Sequence, residues 1–351
     1  MARAMTTADV RHDGNIFNML RLVLASSVIF SHAFILNGNV DPSEAVLPFA
    51  VSRLAVLLFF TLSGFLVTNS LLHRGVGQYV LARCLRLLPG LWVMLLVTSV
   101  IACAAFGTYP FADMLLDPSA WKYISMNALL IGRSYGIDGV FPANPLAGVM
   151  NGSLWTIPRE VQCYIVLGLV GATGLLAKRQ FVLLAFIAGV IVDLLVPRDA
   201  VAILTDLRPL VISFFAGVAL YIWRDKVYLS WPLAAGALVL LALIPVGPTK
   251  LVAAQLTFAY VVLVLAIMVP QSWKRISARM PDYSFGIYIY AFPVQQAMIA
   301  TGIGAAPYAN IASTLAVVLP LAALSWHIVE KPALALKDRA IRRQRLRSTT
   351  P

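Results

Sequence analysis

The sequence predicts an all-α, polytopic membrane protein of about ten transmembrane helices. Of its 351 residues, 60% are hydrophobic and only 12% are charged, whereas ordinary soluble domains are about 25% charged. Apolar runs of about 18 to 25 residues recur along the whole chain, and each is long enough to cross a hydrocarbon core of about 30 Å as a helix. The runs are continuous, whereas strands of a membrane barrel would alternate apolar and polar residues, so a barrel is excluded.

Ten apolar runs are predicted to be spans. In chain order they are residues 16–36, 49–72, 87–107, 153–177, 181–196, 203–223, 229–246, 251–270, 283–303 and 308–328. Together they form one transmembrane domain over residues 1–351, with a core from about 15 to 335 and a basic tail at 336–351. The N-terminus shows no short apolar stretch with a small-residue cleavage site, so the first span is expected to be retained as an anchor.

The formal net charge of +12 is spread over short connections and the C-terminal tail. The basic residues do not form one patch with interleaved aromatic residues, so nucleic acid is not an expected partner. With a cytoplasmic N-terminus, nineteen Lys and Arg residues fall on inner connections and the tail, and four fall on outer connections. This asymmetry follows the positive-inside rule and predicts that both termini are cytoplasmic.

The cysteines do not indicate a metal or redox centre. Cys84, Cys103 and Cys163 lack the spacings of metal-binding or redox motifs, and they are predicted to be buried free thiols. No metal cofactor is therefore expected.

Ionisable residues inside the predicted spans are the first candidates for function. A charged side chain at mid-membrane costs about 2.5–3.5 kcal/mol on insertion scales, so each one requires a partner or a role. A desolvated histidine is a candidate as well, because its neutral imidazole can accept a proton. The candidates are Arg21, His32, Arg53, Arg159, Glu160 and Arg208.

Arg21 and His32 are predicted to lie on one face of the first helix. Eleven residues at about 100° each end only about 20° past three full turns, and they rise roughly 16 Å along the axis. This distance excludes a direct hydrogen bond and fits the two ends of a long ligand or channel. A basic residue at the inner interface together with a satisfied interior histidine is the alternative.

Arg83 and Arg86 are three residues apart and share a helical face before the third span. Two adjacent guanidinium groups suit phosphate oxygens, because each can bind bidentately and neither loses its charge. Ordinary basic flanks of a span are the alternative.

Glu160 falls within the first two turns of the fourth span. A carboxylate near a helix N-terminus is favoured by the helix dipole, but an apolar run follows this one. It is expected to pair with Arg53 or Arg159.

The one long connection, residues 108–152, is predicted to lie outside the membrane. It mixes aromatic and amide side chains, among them Trp121, Asn127, Tyr135 and Asn144. They form either an interfacial aromatic belt with polar loop residues or a platform for a polar ring such as a sugar.

In combination these features resemble the acyltransferase 3 family, whose members are integral membrane O-acyltransferases. The resemblance covers about residues 15 to 335. It rests on Arg21-x10-His32, "FFTLSGFLVTNSLL" (59–72), Arg83-x2-Arg86, "SLWTIPREVQCYI" (153–165), "SFGIYIYAFPV" (284–294) and "HIVEKP" (327–332).

The resemblance implies the reaction and the location. Members of the family commonly acetylate bacterial surface glycans and sometimes smaller molecules. The expected donor is cytoplasmic acetyl-CoA, and the expected acceptor is a sugar hydroxyl in a cell-surface polysaccharide or a lipid-linked glycan. A secreted small molecule is the alternative acceptor. The expected location is the bacterial inner membrane, with the lipid bilayer as the surrounding partner.

The resemblance also implies which residues act. The family's motif residues fall here on Arg21, His32, Ser63, Gly64, Phe65, Arg83, Arg86, Trp155, Glu160, Glu330, Lys331 and Pro332. Pro158 departs from the pattern, and because Pro is tolerated in a first helical turn it is expected only to move the helix start.

These assignments lead to an expected mechanism. Arg83 and Arg86 would hold the donor phosphates, and Arg21 would guide the donor chain toward His32. His32 would act either as general base on the acceptor hydroxyl or as acyl carrier.

The acceptor side of the expected mechanism involves four further residues. Glu160 would orient His32 or the acceptor, unless it forms a purely structural ion pair. Trp155, Trp121 and Tyr135 would bind the acceptor.

Two other classes of protein are weighed against this prediction. A proton-coupled transporter would show helices broken by Gly or Pro at matching places in two halves, and the sequence shows no such symmetry. Unrelated membrane acyltransferases use a His in an apolar segment, here His327, but its place beside the "EKP" end favours a boundary residue. Neither a Gly-x-Ser-x-Gly motif nor a P-loop is present.

Overall fold

The computed structural model describes residues 2–132, 134–197 and 206–336. It is 74% helical with almost no strand. The helices are α1 Phe17–Leu36, α2 Val51–Arg74, α3 Val76–Phe106, α4 Phe111–Leu116, α5 Pro118–Ala128, α6 Thr156–Ala172, α7 Arg179–Leu195, α8 Leu207–Ile222, α9 Trp231–Leu243, α10 Pro248–Ile267, α11 Gln271–Arg279, α12 Ser284–Ala300 and α13 Pro307–Ser325.

Shorter elements complete the described chain. Two-residue strands, β1 Arg3–Ala4 and β2 Tyr228–Leu229, pair antiparallel. The 3-10 helices are Pro42–Ala45, Gly152–Trp155 and Leu175–Ala177. A π-helical turn, Trp326–Glu330, follows α13, and the helix then continues to Leu336.

The all-α class is confirmed, and a helix occupies the described part of each predicted span. Among the described residues, five helices are long and apolar enough to cross a membrane: α1, α2, α3, α10 and the helix Pro307–Leu336. The count of ten crossings stays a prediction. The third predicted span falls on a longer helix: α3 begins at Val76 and carries Arg83 and Arg86 ahead of the span. Arg133, residues 198–205 and the tail from 337 lie outside the described residues.

The chain divides into two units. The first comprises residues 1–24, 43–76 and 162–281, and the second comprises 25–42, 77–161 and 282–351. The boundaries pass through α1, α3 and α6, so each of these helices contributes to both units.

The first unit is centred on a close crossing of α2 and α8. A Cβ atom added at Gly64 would lie 2.0 Å from the carbonyl oxygen of Phe214, and one added at Gly217 would lie 2.0 Å from that of Thr61. Glycine therefore lets the two backbones touch, as small residues do where membrane helices pack closely. Next to Gly64, the fully buried Phe65 meets the Tyr221 ring edge-on at 5.3 Å. This explains why the Ser-Gly-Phe motif has a glycine at its centre.

In the second unit, α12 packs against α13, and the long connection is ordered. Antiparallel bridging of Gly107 and Val140 closes its base, and α4 and α5 fold between them. Tyr123 on α5 is completely buried, and burial raises the pKa of its hydroxyl group. The predicted outer loop is thus a small packed layer with its own core.

All three cysteines are free thiols. The prediction of burial holds for Cys103 and Cys163, whereas Cys84 is exposed. Cys84 lies on the first turns of α3, ahead of the predicted span, where the helix carries Arg83 and Arg86.

Gly64→Ala is expected to destabilise the protein. The new Cβ would collide with a backbone carbonyl that cannot move alone, and overpacking of this kind costs about 1–3 kcal/mol or more. The unfolding temperature of the detergent-solubilised protein measures the effect. Gly236→Ala on α9 is the control, because no atom lies within 4 Å of its added Cβ. Equal unfolding temperatures for both variants would contradict the proposed crossing.

Candidate active site

His32 lies on α1 and in the second unit. Its side chain is half-buried, and its Nδ1 atom is fully buried without a hydrogen-bond partner among the described residues. The ring meets the Phe292 ring of α12 edge-on, with 5.4 Å between centroids. Since Nδ1 is enclosed, the accessible edge of the imidazole is the one that carries Nε2.

Buried amides attach α12 to the segments beside His32. Gln295 donates from Nε2 to the carbonyl of Ile29, one turn before His32, and to Oδ1 of Asn310, both at 2.9 Å. Asn310 donates back to the carbonyl of Gln295 at 3.1 Å. Both amide side chains are completely buried. The Phe292 wall is therefore held by bonds that a solvent-free environment strengthens.

The Trp155 element, the 3-10 helix Gly152–Trp155, also packs against Phe292. A Cβ atom added at Gly152 would lie 2.8 Å from the Phe292 ring. Asn151 accepts from the backbone N–H of Ser153 and so caps the 3-10 helix that ends in Trp155. Its Nδ2 donates to the carbonyl of Ile289 on α12 at 2.8 Å. His32 and the Gly152 turn thus contact one aromatic ring.

Glu160 lies on α6 near a tyrosine hydroxyl. Tyr288 donates to the carbonyl of Ser153 at 3.0 Å, and its oxygen is 2.6 Å from Thr156 Oγ1. The half-buried Glu160 carboxylate acts electrostatically on Tyr288. Among the described residues, no hydrogen bond joins Glu160 to His32.

Two predictions concern Glu160 and the nearby Pro158. The expected pairing of Glu160 with Arg53 or Arg159 stays a prediction. Pro158 lies in the first turn of α6, so its expected position is confirmed.

Arg86 is the centre of a buried ion-pair cluster, which the sequence did not predict. Its Nη2 lies 2.7 Å from Asp282 and its Nη1 lies 3.1 Å from Glu330. The guanidinium carbon also lies 5.6 Å from the centres of the Phe285 and Trp326 rings. Arg86 and Glu330 are buried, and Asp282 is nearly so. We call Arg86, Asp282 and Glu330 the buried ion cluster.

Small residues make room for the Glu330 carboxylate. A Cβ atom added at Gly90 would lie 3.3 Å from Glu330 Cγ, and one added at Gly286 would lie 3.4 Å from Oε1. Ser325 donates to Oε1 at 3.0 Å. Glu330 is the last residue of the π-helical turn, a feature that often marks functional sites. The Glu-Lys-Pro motif thus supplies a counter-ion for α3.

Arg83 lies on α3, three residues before Arg86, as the spacing predicted. It is half-buried. The structure gives the two arginines different surroundings, because Arg86 already faces two carboxylates.

Trp121 and Tyr135, the two predicted acceptor-binding residues of the long connection, are less embedded than the buried ion cluster. The Trp121 ring is 57% exposed, and its Nε1 donates to the carbonyl of Leu115 at 2.9 Å. The Tyr135 carbonyl accepts from the N–H groups of Met150 and Asn151 at 2.7 and 2.9 Å, so its backbone orients the Trp155 element.

Asparagines of this connection are used inside the protein. Asn127 donates to the carbonyls of Tyr123 and Ser134, and Asn144 donates to Gln296. Both are buried. Both amides therefore bond to groups of the protein itself. A platform for a sugar in this connection would be formed by its aromatic residues.

Arg21 lies on α1, as predicted, and belongs to the first unit. Next to it, the first turn of α1 is fastened within that unit: Met19 N–H donates to Ser277 Oγ, and Asn18 donates to the carbonyl of Met280.

Sequence reasoning missed several groups beside the predicted ones. Asp282 could have been recognised as a residue at a helix N-terminus, because Asp and Ser are typical of the start of a helix. Its pairing with Arg86 could not have been recognised, because the two residues are 196 positions apart. Gln295 and Asn310 had no signal beyond being amides in apolar runs. Within the described residues, no group of three or more His, Cys, Asp and Glu side chains could hold a metal ion.

Comparison with known proteins identifies the class of protein as a membrane-embedded transferase of acyl groups. The sequence model of the acyltransferase domain family Acyl_transf_3 matches residues 15–329. The chain belongs to this family, which confirms the expected acyltransferase 3 relationship. With its apolar helices, it is an integral membrane protein.

Similar proteins make the class more specific. An O-acetyl transferase of Shigella phage Sf6 is 29% identical over 338 residues, covering 91% of this chain and 96% of the relative. Nodulation protein 10 of Rhizobium leguminosarum bv. viciae is 26% identical over 366 residues, covering 94% and 96%. No solved structure matches. The expected enzyme class, an O-acetyltransferase, is confirmed.

Arg86→Gln is expected to destabilise the protein strongly. It leaves the carboxylates of Asp282 and Glu330 buried without their cation, and breaking a buried ion pair costs about 3–5 kcal/mol. Thermal unfolding in mild detergent measures this loss. Arg179→Gln is the control, because its partner Asp225 is 48% exposed and such surface pairs contribute at most about 1 kcal/mol. A loss at Arg86 as small as that of the control would show that the cluster is not structural.

Proposed function

We propose that this O-acetyltransferase transfers an acetyl group from cytoplasmic acetyl-CoA to a sugar hydroxyl in a cell-surface polysaccharide or a lipid-linked glycan. The single observation that carries the proposal is His32: a half-buried imidazole whose Nδ1 is enclosed and whose other edge is accessible, in a chain of this family. It is the titratable group best suited to exchange a proton in an apolar setting.

His32 acts on the acceptor hydroxyl through Nε2. In the general-base route, Nε2 takes the hydroxyl proton while the oxygen bonds to the thioester carbonyl carbon. The carbon–sulfur bond then breaks, and the proton passes from the imidazole to the CoA thiolate. In the acyl-carrier route, Nε2 bonds to the acetyl carbon as the carbon–sulfur bond breaks and CoA leaves as its thiolate. The acceptor oxygen then bonds to that carbon as the carbon–Nε2 bond breaks, and the hydroxyl proton passes to the thiolate. Both routes need the same accessible nitrogen.

The donor side of the proposal involves three arginines. Arg83 contacts the donor phosphates, with Arg86 beside it, because guanidinium groups bind phosphate oxygens bidentately. Arg86 contributes less to this binding, since a phosphate would have to compete with Asp282 and Glu330 for it. Arg21, about 16 Å before His32 along α1, guides the donor chain.

The acceptor side draws on the residues around the Phe292 ring. Trp155 ends a 3-10 helix that is capped by Asn151 and attached to α12. Its ring, together with Trp121 and Tyr135, binds the sugar, because an aromatic face packs against the apolar side of a sugar ring. Glu160 orients the acceptor hydroxyl. An O-linked acceptor agrees with the name of the phage relative.

The proposed setting is the bacterial inner membrane, with ten spans and both termini in the cytoplasm. The positive-inside count supports this orientation. It places the donor pool on the side of Arg83 and allows an acceptor on the opposite side.

His32→Ala is expected to abolish acetyl transfer while the protein still inserts in the membrane. The test complements a deletion strain with the variant and measures O-acetyl groups on the isolated surface glycans. His73→Ala is the control, because His73 is exposed at the end of α2 and bonds only to a local carbonyl. Full acetylation by the His32 variant would remove the catalytic assignment. A deletion strain with unchanged surface glycans would redirect the proposal to a secreted acceptor.

Arg83→Lys is expected to raise the KM for acetyl-CoA about tenfold, because the ammonium group keeps the charge but loses the bidentate geometry. Steady-state kinetics in membrane vesicles measures the change. Arg74→Lys, an exposed position at the end of α2, is the matched control. An unchanged KM would show that Arg83 is only a basic flank of the span.

A further inference from the structure

The chain turns back on itself directly after the helix that carries His32. At the end of α1, Asn37 donates to the carbonyl of Ala33 at 2.8 Å, and the Asn39 N–H donates to the carbonyl of Phe34 at 2.8 Å. Gly38, between them, has a positive φ of 72°, which favours glycine. The reversal returns the following residues to the helix they have just left.

This reversal buries a carboxylate beside His32. Asp41 is only 3% exposed, and it accepts a hydrogen bond from the hydroxyl of Ser31, the residue before His32. The Asp41 carboxylate also interacts electrostatically with the imidazole of His32. An Asp side chain with no role other than in a surface loop would be expected to face water, because burying its charge is unfavourable unless another group compensates it.

The ionisable surroundings of His32 are simple. Asp41 is the ionisable group whose charge acts on the imidazole. The neighbouring helix α12 presents the uncharged Phe292 ring to it. The enclosed Nδ1 has no hydrogen-bond partner among the described residues, so positive charge on the ring would draw stabilisation from the Asp41 carboxylate.

We infer that Asp41 is a positioning residue that stabilises the protonated form of His32 during acetyl transfer. When Nε2 takes the proton of the acceptor hydroxyl, the ring becomes cationic in an enclosed site, and the nearby carboxylate favours that state. No atom passes through Asp41, and the proton moves on to the CoA thiolate. The inference rests on the proposed function, because it assigns the group that stabilises the charged imidazole of the same site.

Two carboxylates of this site act on different groups. Glu160 acts electrostatically on Tyr288, and Asp41 acts on His32. Of the two roles expected for Glu160, orienting His32 or the acceptor, the proposal keeps the acceptor.

Asp41→Asn tests the inference. We expect kcat to fall at least tenfold while the KM for acetyl-CoA stays within twofold, because the donor arginines are unchanged. The acid limb of the rate profile should move to lower pH, since losing the carboxylate disfavours the protonated imidazole. Asp41→Glu, which keeps the charge, should recover part of the rate. Glu44→Gln is the matched control: it removes an exposed carboxylate three residues away and should leave kcat and the pH profile unchanged.

Two outcomes overturn the inference. One is a parental kcat and pH profile in Asp41→Asn. The other is a reduced kcat with an unmoved acid limb and no recovery in Asp41→Glu, which would indicate a structural role only. If Asp41→Asn does not insert in the membrane, Ser31→Ala decides. It removes one hydrogen bond to the carboxylate without removing the charge, so kcat should fall at constant donor KM, and an unchanged kcat overturns the inference. Activity of His32→Ala would instead refute the proposed function itself.

Discussion

The second unit is organised around one buried charge, the guanidinium of Arg86. A cation that leaves water costs several kcal/mol unless carboxylates and hydrogen bonds compensate it. Three segments far apart in sequence meet this demand: α3 supplies Arg86, the residue range before α12 supplies Asp282, and the π-helical turn supplies Glu330. The residues around Glu330 fit this arrangement. Glycines on α3 and α12 leave space for the Glu330 side chain, and Ser325 satisfies its second oxygen.

The same requirement, that polar groups in apolar surroundings find partners within the protein, explains the surroundings of His32. There it is met by neutral amides. Gln295 joins α12 to α1 and α13, and Asn151 joins the Trp155 turn to α12. These bonds hold in place the elements that carry the groups proposed to react, as preorganised sites require. Besides these bonds, Nδ1 of His32, Oε1 of Gln295 and Oγ of Ser153 are buried without a hydrogen-bond partner among the described residues. Of the three residues, His32 is the one whose side chain titrates near neutral pH.

Hydropathy predicted the helices well, because a span must be apolar over most of its length. It does not mark where α3 begins, because Arg83 and Arg86 lower the average ahead of the predicted span although the helix is continuous from Val76. Spacing placed Arg83 and Arg86 on one helix, since local geometry depends on residue number alone. It could not find Asp282, because a contact across 196 residues is decided by tertiary packing. Asp41 was hidden for the opposite reason: Asp before Pro in a polar stretch is typical of an exposed turn, and only the reversal at the end of α1 buries it.

The buried ion cluster also divides the work of the two arginines on α3. From their spacing alone, Arg83 and Arg86 were predicted to bind phosphate in the same way. In the structure, Arg86 faces two carboxylates, so a phosphate near it would be repelled by the same charges that hold the guanidinium in place. Arg83 precedes Arg86 by one turn and shares its helix. Fixing Arg86 therefore fixes the rotation of α3 about its axis, and with it the direction in which Arg83 points. In this way the closing Glu-Lys-Pro motif, through Glu330, sets the direction of Arg83, the residue that we propose binds the donor.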